Sequence, residues 1–439
     1  MQNNVNKLTL AIAMATTTLS GQAVAGGFQL NEQSVSAQGN AFAGRTSNVQ
    51  DATIVFGNPA GMSFLDRAQV TAGATYLNVE SDIEDVSSSR AIDAGFAGGN
   101  VPSGVQVPLG AVPGGSEGDM VPSQTIPFGY FVQPINDHLH FGLGVYAPFG
   151  VVTDYEDNFE GRYFGTYSDV KVMTVQPTLS IKFSDQFSAG FGVTYNRIEG
   201  ELESATPDFG TGEGRVNVQG DDEAWGFTFG MMYKPVESTT LGVAYRSDVD
   251  YELEGDVEYD NVASVLPGRS LTTDAALNIT LPETIDFSVT HDLSERWTIM
   301  AGAALVKWSS FDRLLIENAV GDIEEPQDYE DAWQYALGLS YHVNSTLTLR
   351  TGVAYDESPI SDEVRTVRVP SGDRTIFSLG AGWTPTPNLT LDVAYTYLTE
   401  DTAPVSQSRS YAGGILETSY EADYENEAHG FGAQVTYRF

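Results

Sequence analysis

The chain has 439 residues, with 59 Asp and Glu against 21 Lys and Arg, a formal net charge of −38. No cation cluster is available for phosphate neutralisation, which excludes a nucleic-acid partner, and the absence of cysteine excludes disulfides, thiolate metal sites and cysteine nucleophiles. With 41% hydrophobic residues and 11% aromatics, the composition is too apolar for disorder despite its charge, so the chain folds.

Residues 1–25 contain Lys7, an apolar stretch from Leu8 to Leu19 and the small-x-small sequence Ala23-Val24-Ala25. This is the pattern of a secretory signal peptide, with an apolar stretch below the ~20 residues that a spanning helix needs. The mature chain is expected to begin at Gly26. No later apolar run is long enough to span, which leaves a soluble secreted β protein or an outer-membrane barrel whose lipid-facing residues are hidden in alternation. Residues 26–66 show no period of two. They are rich in small residues, as in Gln38-Gly39-Asn40-Ala41-Phe42-Ala43-Gly44, and include the turn former Asn58-Pro59-Ala60-Gly61. A compact, partly helical unit of this size suits a barrel lumen; a periplasmic tail is the alternative.

From residue 67 onward the pattern changes. Leu347, Leu349, Val353 and Tyr355 alternate with Thr348, Arg350, Gly352 and Ala354, and Leu389, Leu391, Val393, Tyr395 and Tyr397 with Thr390, Asp392, Ala394 and Thr396. Side chains of a strand alternate faces, so each segment presents one apolar stripe, with aromatics near its end as at a membrane boundary. Six short connections, near 133–138, 184–186, 235–238, 292–295, 343–345 and 384–388, alternate with seven long ones near 80–123, 155–167, 204–222, 260–270, 309–330, 357–373 and 399–427. Thirteen connections join 14 strands, and the even count puts both ends on the periplasmic side. Asp248, Asp250, Glu252, Glu254, Asp256, Glu258 and Asp260 alternate with apolar residues that continue the stripe of Leu241, Val243 and Tyr245. The acidic face is expected to line the extracellular mouth as a solvated surface; divalent-cation bridging to lipopolysaccharide is the functional alternative. The last strand ends with Phe431, Ala433, Val435, Tyr437 and Phe439 on one face. This resembles the C-terminal signal read by the barrel assembly machinery of bacterial outer membranes. No G-x-S-x-G, P-loop or H-E-x-x-H motif is present, so no enzyme, metal or cofactor is expected.

Several blocks in order along the mature chain are similar to one family. They are Gly27-Phe28-Gln29-Leu30-Asn31-Glu32, Asn58-Pro59-Ala60, Tyr245-Arg246-Ser247-Asp248-Val249, Leu281-Pro282-Glu283, Trp308-Ser309-Ser310-Phe311 and Arg350-Thr351-Gly352-Val353-Ala354-Tyr355-Asp356. The chain resembles the FadL family of outer-membrane transporters of long-chain fatty acids and other hydrophobic compounds. The resemblance implies an all-β fold: a 14-stranded antiparallel transmembrane barrel over 67–439, plugged by a partly helical N-terminal hatch over 26–66. It implies that Phe28 approaches a ligand pocket and that Asn58, Pro59 and Ala60 hold the hatch. It also implies a kinked third strand at Phe141–Gly150, through which an apolar ligand leaves sideways into the membrane. Gly142, Gly144, Pro148 and Gly150 are the candidate kink residues, since Gly weakens strand pairing and Pro lacks an N–H; an ordinary strand end with a loop proline is the alternative.

The resemblance assigns Arg197 to the ligand head group, whereas a lumen-facing Arg197 bonded to a barrel Asp or Glu is the alternative. Glu330 stands where fatty-acid transporters of the family have Lys. That departure counts against a carboxylate and favours neutral hydrocarbons as the alternative cargo; the expected function is passive uptake of long-chain fatty acids and related hydrophobic compounds, with a structural or adhesive barrel with acidic loops as the alternative class. The expected partners are a hydrophobic small molecule, outer-membrane lipid and lipopolysaccharide, and the assembly machinery, for a monomer in the cell outer membrane.

Overall fold

The computed structural model describes residues 27–95, 104–210, 212–262, 265 and 268–439. The expected signal segment at 1–25 lies outside the described residues. Fourteen strands form the wall: β1 Gln69–Asp93, β2 Gln124–Pro134, β3 Leu139–Asp154, β4 Tyr167–Lys182, β5 Phe187–Thr206, β6 Gly214–Val236, β7 Thr239–Arg246, β8 Thr284–Asp292, β9 Trp297–Val306, β10 Ala332–His342, β11 Leu347–Asp356, β12 Arg374–Thr386, β13 Leu389–Glu400 and β14 Leu416–Arg438. Each pairs antiparallel with its sequence neighbours. β14 closes on β1, from Gln69 opposite Arg438 to Ile92 opposite Leu416. Closure pairs the strands around the wall, the arrangement that satisfies the backbone groups of a sheet in lipid, except where β2 and β3 part above Gly129 and Val145.

The alternation read from the sequence is the inside-outside alternation of this wall. Leu349, Val353, Tyr355, Val393, Phe431, Val435 and Tyr437 are exposed on the outside, while Arg350, Asp392, Gln434 and Thr436 are buried inside. Six tight turns alternate with long connections, as the spacing predicts, but two of the expected long loops are mostly strand. β5 runs to Thr206 and β6 begins at Gly214, and Ala403–Tyr411 pairs with the upper part of β14. The wall therefore extends past the apolar belt at the long-loop end.

The acidic strand is a correction to the sequence reading. β7 continues after two residues as Val249–Asp260, which pairs with Ser270–Leu281 leading into β8. Below the break Leu241 faces out and Ala244 in; above it Tyr251, Leu253, Val257 and Tyr259 are buried inside and Asp250, Glu252, Glu254 and Glu258 are exposed outside. Within the interruption, Ser247 N donates to Phe227 O at 2.9 Å and Ser247 Oγ accepts from Phe227 N at 3.0 Å. Arg246 faces Thr228 of β6 and Glu254 faces Asp221, eight residues against seven, so the interruption inserts one extra residue and reverses the faces, because side-chain direction has a period of two. The carboxylates thus clothe the outer surface, and the apolar residues enter the lumen.

Residues 27–66 precede the wall and include helices α1 Val35–Gln38 and α2 Ile54–Gly57 and a 3₁₀ turn, Pro59–Phe64. Small residues let this segment fold tightly, and its own short helices leave many backbone groups to be satisfied by the wall. It is bonded on all sides: Ser188 Oγ of β5 and Ser180 Oγ of β4 donate to Ala60 O at 2.9 and 3.1 Å, Gln434 Nε2 of β14 donates to Asp51 Oδ2 at 2.8 Å, and Arg45 pairs with Asp286 of β8 at 3.3 Å.

Candidate functional site

Phe28 is buried in an aromatic cluster. Its ring centroid lies 4.8 Å from that of Trp308, 5.5 Å from Phe311 and 6.1 Å from Phe149, all in edge-to-face arrangements, the geometry that ring quadrupoles favour. Gly27 precedes it with φ +68°, and a Cβ there would stand 2.7 Å from the Trp308 ring, so glycine is required twice over.

Above this cluster lies an apolar cavity of about 80 Å³, walled by Val151, Val170, Ile198, Leu253, Leu277 and Ile279 together with Phe28 and Phe311. A second cavity of about 200 Å³ adjoins it toward the long-loop end and shares Leu202, Val218, Ile316 and Arg368 as walls. A third, about 60 Å³, shares Val151, Arg368 and Val369 with the first and reaches Val79, Met120, Val121 and Val152. The connection between β11 and β12 folds between them: Val367 is fully buried, its N–H donates to Gln407 Oε1 at 2.9 Å, and its carbonyl accepts from Tyr155 OH at 2.6 Å.

At the junction of these spaces three charged groups meet. Glu325 Oε1 accepts from Arg409 Nη2 at 2.7 Å, and Arg368 Nε stands 3.4 Å from Glu325 Oε2. Arg368 Nη1 donates to Tyr167 O at 2.9 Å and Ser168 Oγ at 3.0 Å. Burial pushes the Glu325 carboxyl up, but the two guanidinium charges and their hydrogen bonds outweigh it and hold the group below its ordinary range.

The third strand has an interrupted seam. β2 and β3 pair only from Pro134–His140 to Gly129–Val145. Above that point Gln124–Phe128 bonds to β1 alone, and β3 shifts register against β4 between Tyr146 and Phe149. Ala147 and Pro148 form the bulge, where a residue lacking an N–H is tolerated. The free inner edge of β3 is taken by the N-terminal segment: Leu30 N donates to Pro148 O at 2.8 Å, Gly150 N donates to Phe28 O at 2.9 Å, and Gln29 bridges to Phe149.

Of the residues singled out in the sequence, Phe28, Pro148 and Gly150 therefore converge here. Gly142 and Gly144 do not belong to the kink. Both lie in regular ladder between β2 and β4; Gly142 makes room for the hatch, since a Cβ there would overlap Met62 Sδ, and one at Gly144 would press on Tyr130. Asn58 caps the 3₁₀ turn, accepting from Ala60 N at 3.0 Å and donating to Thr46 O at 2.8 Å and Met231 O at 3.0 Å; Pro59 takes the first position of that turn. Arg197 is a correction. It is half exposed on the outer face of β5, paired with Glu199 at 3.1 Å and Asp221 at 3.4 Å, while its neighbour Ile198 lines the cavity. The parity of Phe191 and Tyr195, both outward-facing by the stripe rule, already implies this. Glu330 is exposed and absent from the cavity lining, whereas Tyr329 walls it. Trp308, Phe311, Arg368, Arg409 and Glu325 were not singled out as site residues. Only the Trp308–Phe311 motif carried a signal.

A family model described as Outer membrane protein transport protein (OMPP1/FadL/TodX) matches residues 16–439. The chain belongs to this family. A long-chain fatty acid transport protein of Salmonella typhi is 26% identical over 458 residues, covering 98% of each chain. Outer membrane protein P1 of Haemophilus influenzae is 29% identical over 473 residues, again covering 98% of each. The crystal structure of a Pseudomonas aeruginosa FadL homologue superposes with a TM-score of 0.81 at 25% identity, covering 94% of this chain and 100% of that one. The Ralstonia pickettii toluene transporter TbuX, at 16% identity and a TM-score of 0.65, shares the fold. The protein is thus an outer-membrane transport barrel of the FadL type and not an enzyme.

Proposed function

We propose that this barrel takes up long-chain fatty acids and related hydrophobic compounds passively, holding them in the apolar cavity above Phe28 and releasing them sideways through the β2–β3 seam. The observation that carries this reading is the pairing of Phe28–Leu30 with the free inner edge of β3. The same short segment supplies the aromatic floor of the cavity and covers the unpaired stretch of wall, so cargo that displaces Phe28 loosens the cover over the seam. Burial of an alkyl chain contributes roughly 25 cal/mol per Å², and the membrane beyond the seam is equally apolar, so transfer down a gradient needs no energy source. The third cavity, with Val79, Met120 and Val121 on one side and Val151 and Val152 on the other, supports the same route. Residues 27–66 act as the hatch and residues 67–439 as the barrel of this device.

The test is uptake of labelled oleate and hexadecane by cells lacking their own transporter and expressing this chain. Oleate entry that depends on expression is the expected result; equal entry with and without the protein for both compounds would refute the proposal. Neutral hydrocarbons are the second reading, favoured by the aliphatic and aromatic side chains that make up most of the inner cavity wall. Hexadecane uptake without oleate uptake would select it.

A further inference from the structure

We propose that Glu32 is a proton-operated latch on the seam: with its carboxyl protonated residues 28–33 stay on β3, and loss of the proton releases them, so the seam opens more readily as pH rises. This adds a control to the uptake reading above and rests on it for what the seam passes. Glu32 lies between contacts that hold the N-terminal segment on the β3 bulge. On one side of it Leu30 N donates to Pro148 O at 2.8 Å, and on the other Gln33 Nε2 donates to Ala147 O. The residue is 5% exposed, and its Oε2 has no hydrogen-bond partner among the described residues.

The wall beside it is already supplied with carboxylates. One row of inward side chains runs through directly opposed residues of β8 to β13: Asp286, Ala304, Gln334, Asp356, Arg374 and Glu400. Its charged members are buried. Arg45 of the hatch reaches this row at Asp286, 3.3 Å away, and Gln334, 2.9 Å away, and donates to Asn31 Oδ1 at 2.7 Å. Arg374 pairs with Glu400 at 2.5 Å, and Arg246 of β7 donates to Phe56 O at 2.9 Å. The guanidiniums of Arg45, Arg246 and Arg374 thus stand against the carboxylates of Asp286, Asp356 and Glu400 before Glu32 is counted. A further carboxylate would be buried without a counter-charge of its own, and such a group keeps its proton. Burial pushes the Glu32 carboxyl up to about 7 from an ordinary 4.5, against the lowering pull of the Glu32 and Asn31 backbone N–H groups, Arg45 and Arg374. Once released into water the carboxyl returns to its ordinary value, so between pH 4.5 and 7 the open segment binds fewer protons than the closed one. Closure is therefore at full strength below that window, weakens as pH rises through it, by at most about tenfold per pH unit, and is constant above it.

Amide exchange of the purified full-length barrel in a nonionic detergent, without cargo, tests this when read as protection factors from about pH 5 to pH 8, with heat-modifiable gel mobility as the check of folding. The amides to follow are Leu30 and Gly150, which bond the segment to β3. Over that range the wild type is expected to lose protection at both by about tenfold to a hundredfold, while the amides of β11 in the wall keep theirs. Glu32→Gln, which cannot ionise, is expected to hold the protection constant. If Glu32→Gln does not fold, Glu32→Met carries the same expectation. A flat wild-type profile, or a folded Glu32 variant that keeps the wild-type slope, overturns the latch and leaves the uptake reading in place. A sloping profile in a protein whose cells take up neither oleate nor hexadecane overturns the uptake reading alone.

Discussion

Truncation of Phe28 to Ala tests the coupling between cavity and seam most directly. The ring is 4% exposed and touches Trp308, Phe311 and Phe149. Removing a phenyl from such a site costs about 3–5 kcal/mol, comprising lost transfer energy and the cavity left behind. The wall does not depend on that ring, since its ladder closes from β1 through β14 without the N-terminal segment. The loss therefore falls on the local opening of Phe28–Leu30 away from β3. At about 1.4 kcal/mol per factor of ten, amide exchange at Leu30 and Gly150 should accelerate by a hundredfold or more, or reach the unprotected limit if the local stability is smaller. Hydrogen exchange of the purified barrel in detergent reads both amides, and the gel-shift temperature reads the wall. Unchanged protection at Leu30 and Gly150 in a folded Phe28→Ala barrel would refute the idea that the aromatic floor holds the segment on the seam. A barrel that melts as a whole would refute its locality.

Asn58→Ala removes one acceptor and two donations, taking a donor from Thr46 O and from Met231 O. The expected cost is about 1–3 kcal/mol, from a lost cap and the carbonyl of Thr46 left without this donor, seen as faster exchange across 54–64 with the wall intact. At Gly230 a Cβ would overlap Asn58 Oδ1. Gly230→Val should displace the 3₁₀ turn, and planar-bilayer recordings should show ion conductance that the wild type lacks. Glu213 ties two loops together, accepting from Arg162 Nη2 at 2.7 Å and Nε at 2.9 Å and from Tyr163 OH. Burial raises its pKa, but these bonds prevail and lower it. A folded value below the unfolded one means the tie is fully present above the ordinary carboxylate range and is lost as pH falls through the lowered value. At pH 4 the wild-type loops should resist pepsin while Glu213→Gln is cut; equal cleavage would show that the tie holds nothing.

Where the sequence was legible, one physical rule sufficed, and where it failed the same rule had been carried across a break. The period of two places Phe431, Val435 and Tyr437 on the outside because β14 is uninterrupted over those residues. Applied to β5 it also puts Arg197 outside with Phe191 and Tyr195, against the role that the family resemblance assigns to it. Between Arg246 and Val249 the rule fails, since Ser247 bonds to Phe227 outside the regular ladder, and no local composition marks that reversal. Gly142 and Gly144 misled for another reason: glycine in a strand signals either a weak ladder or a close neighbour, and the neighbour here, the hatch, comes from elsewhere in the chain.

The meeting of Arg368, Arg409 and Glu325 was invisible in the sequence because the three charges lie on three separate loops. The reversal of faces beyond Arg246 changes what the charge of −38 means for the lumen. The carboxylates of Val249–Asp260 point away from the lumen, and beyond about 8 Å their repulsion is screened at physiological ionic strength. The short-range field inside the mouth is set instead by the cavity linings, where Arg368, Arg374 and Arg409 balance Glu325, Glu400 and Glu427. The outer carboxylates thus present only a weak, screened barrier, and an acidic exterior is compatible with either a carboxylate or a neutral cargo.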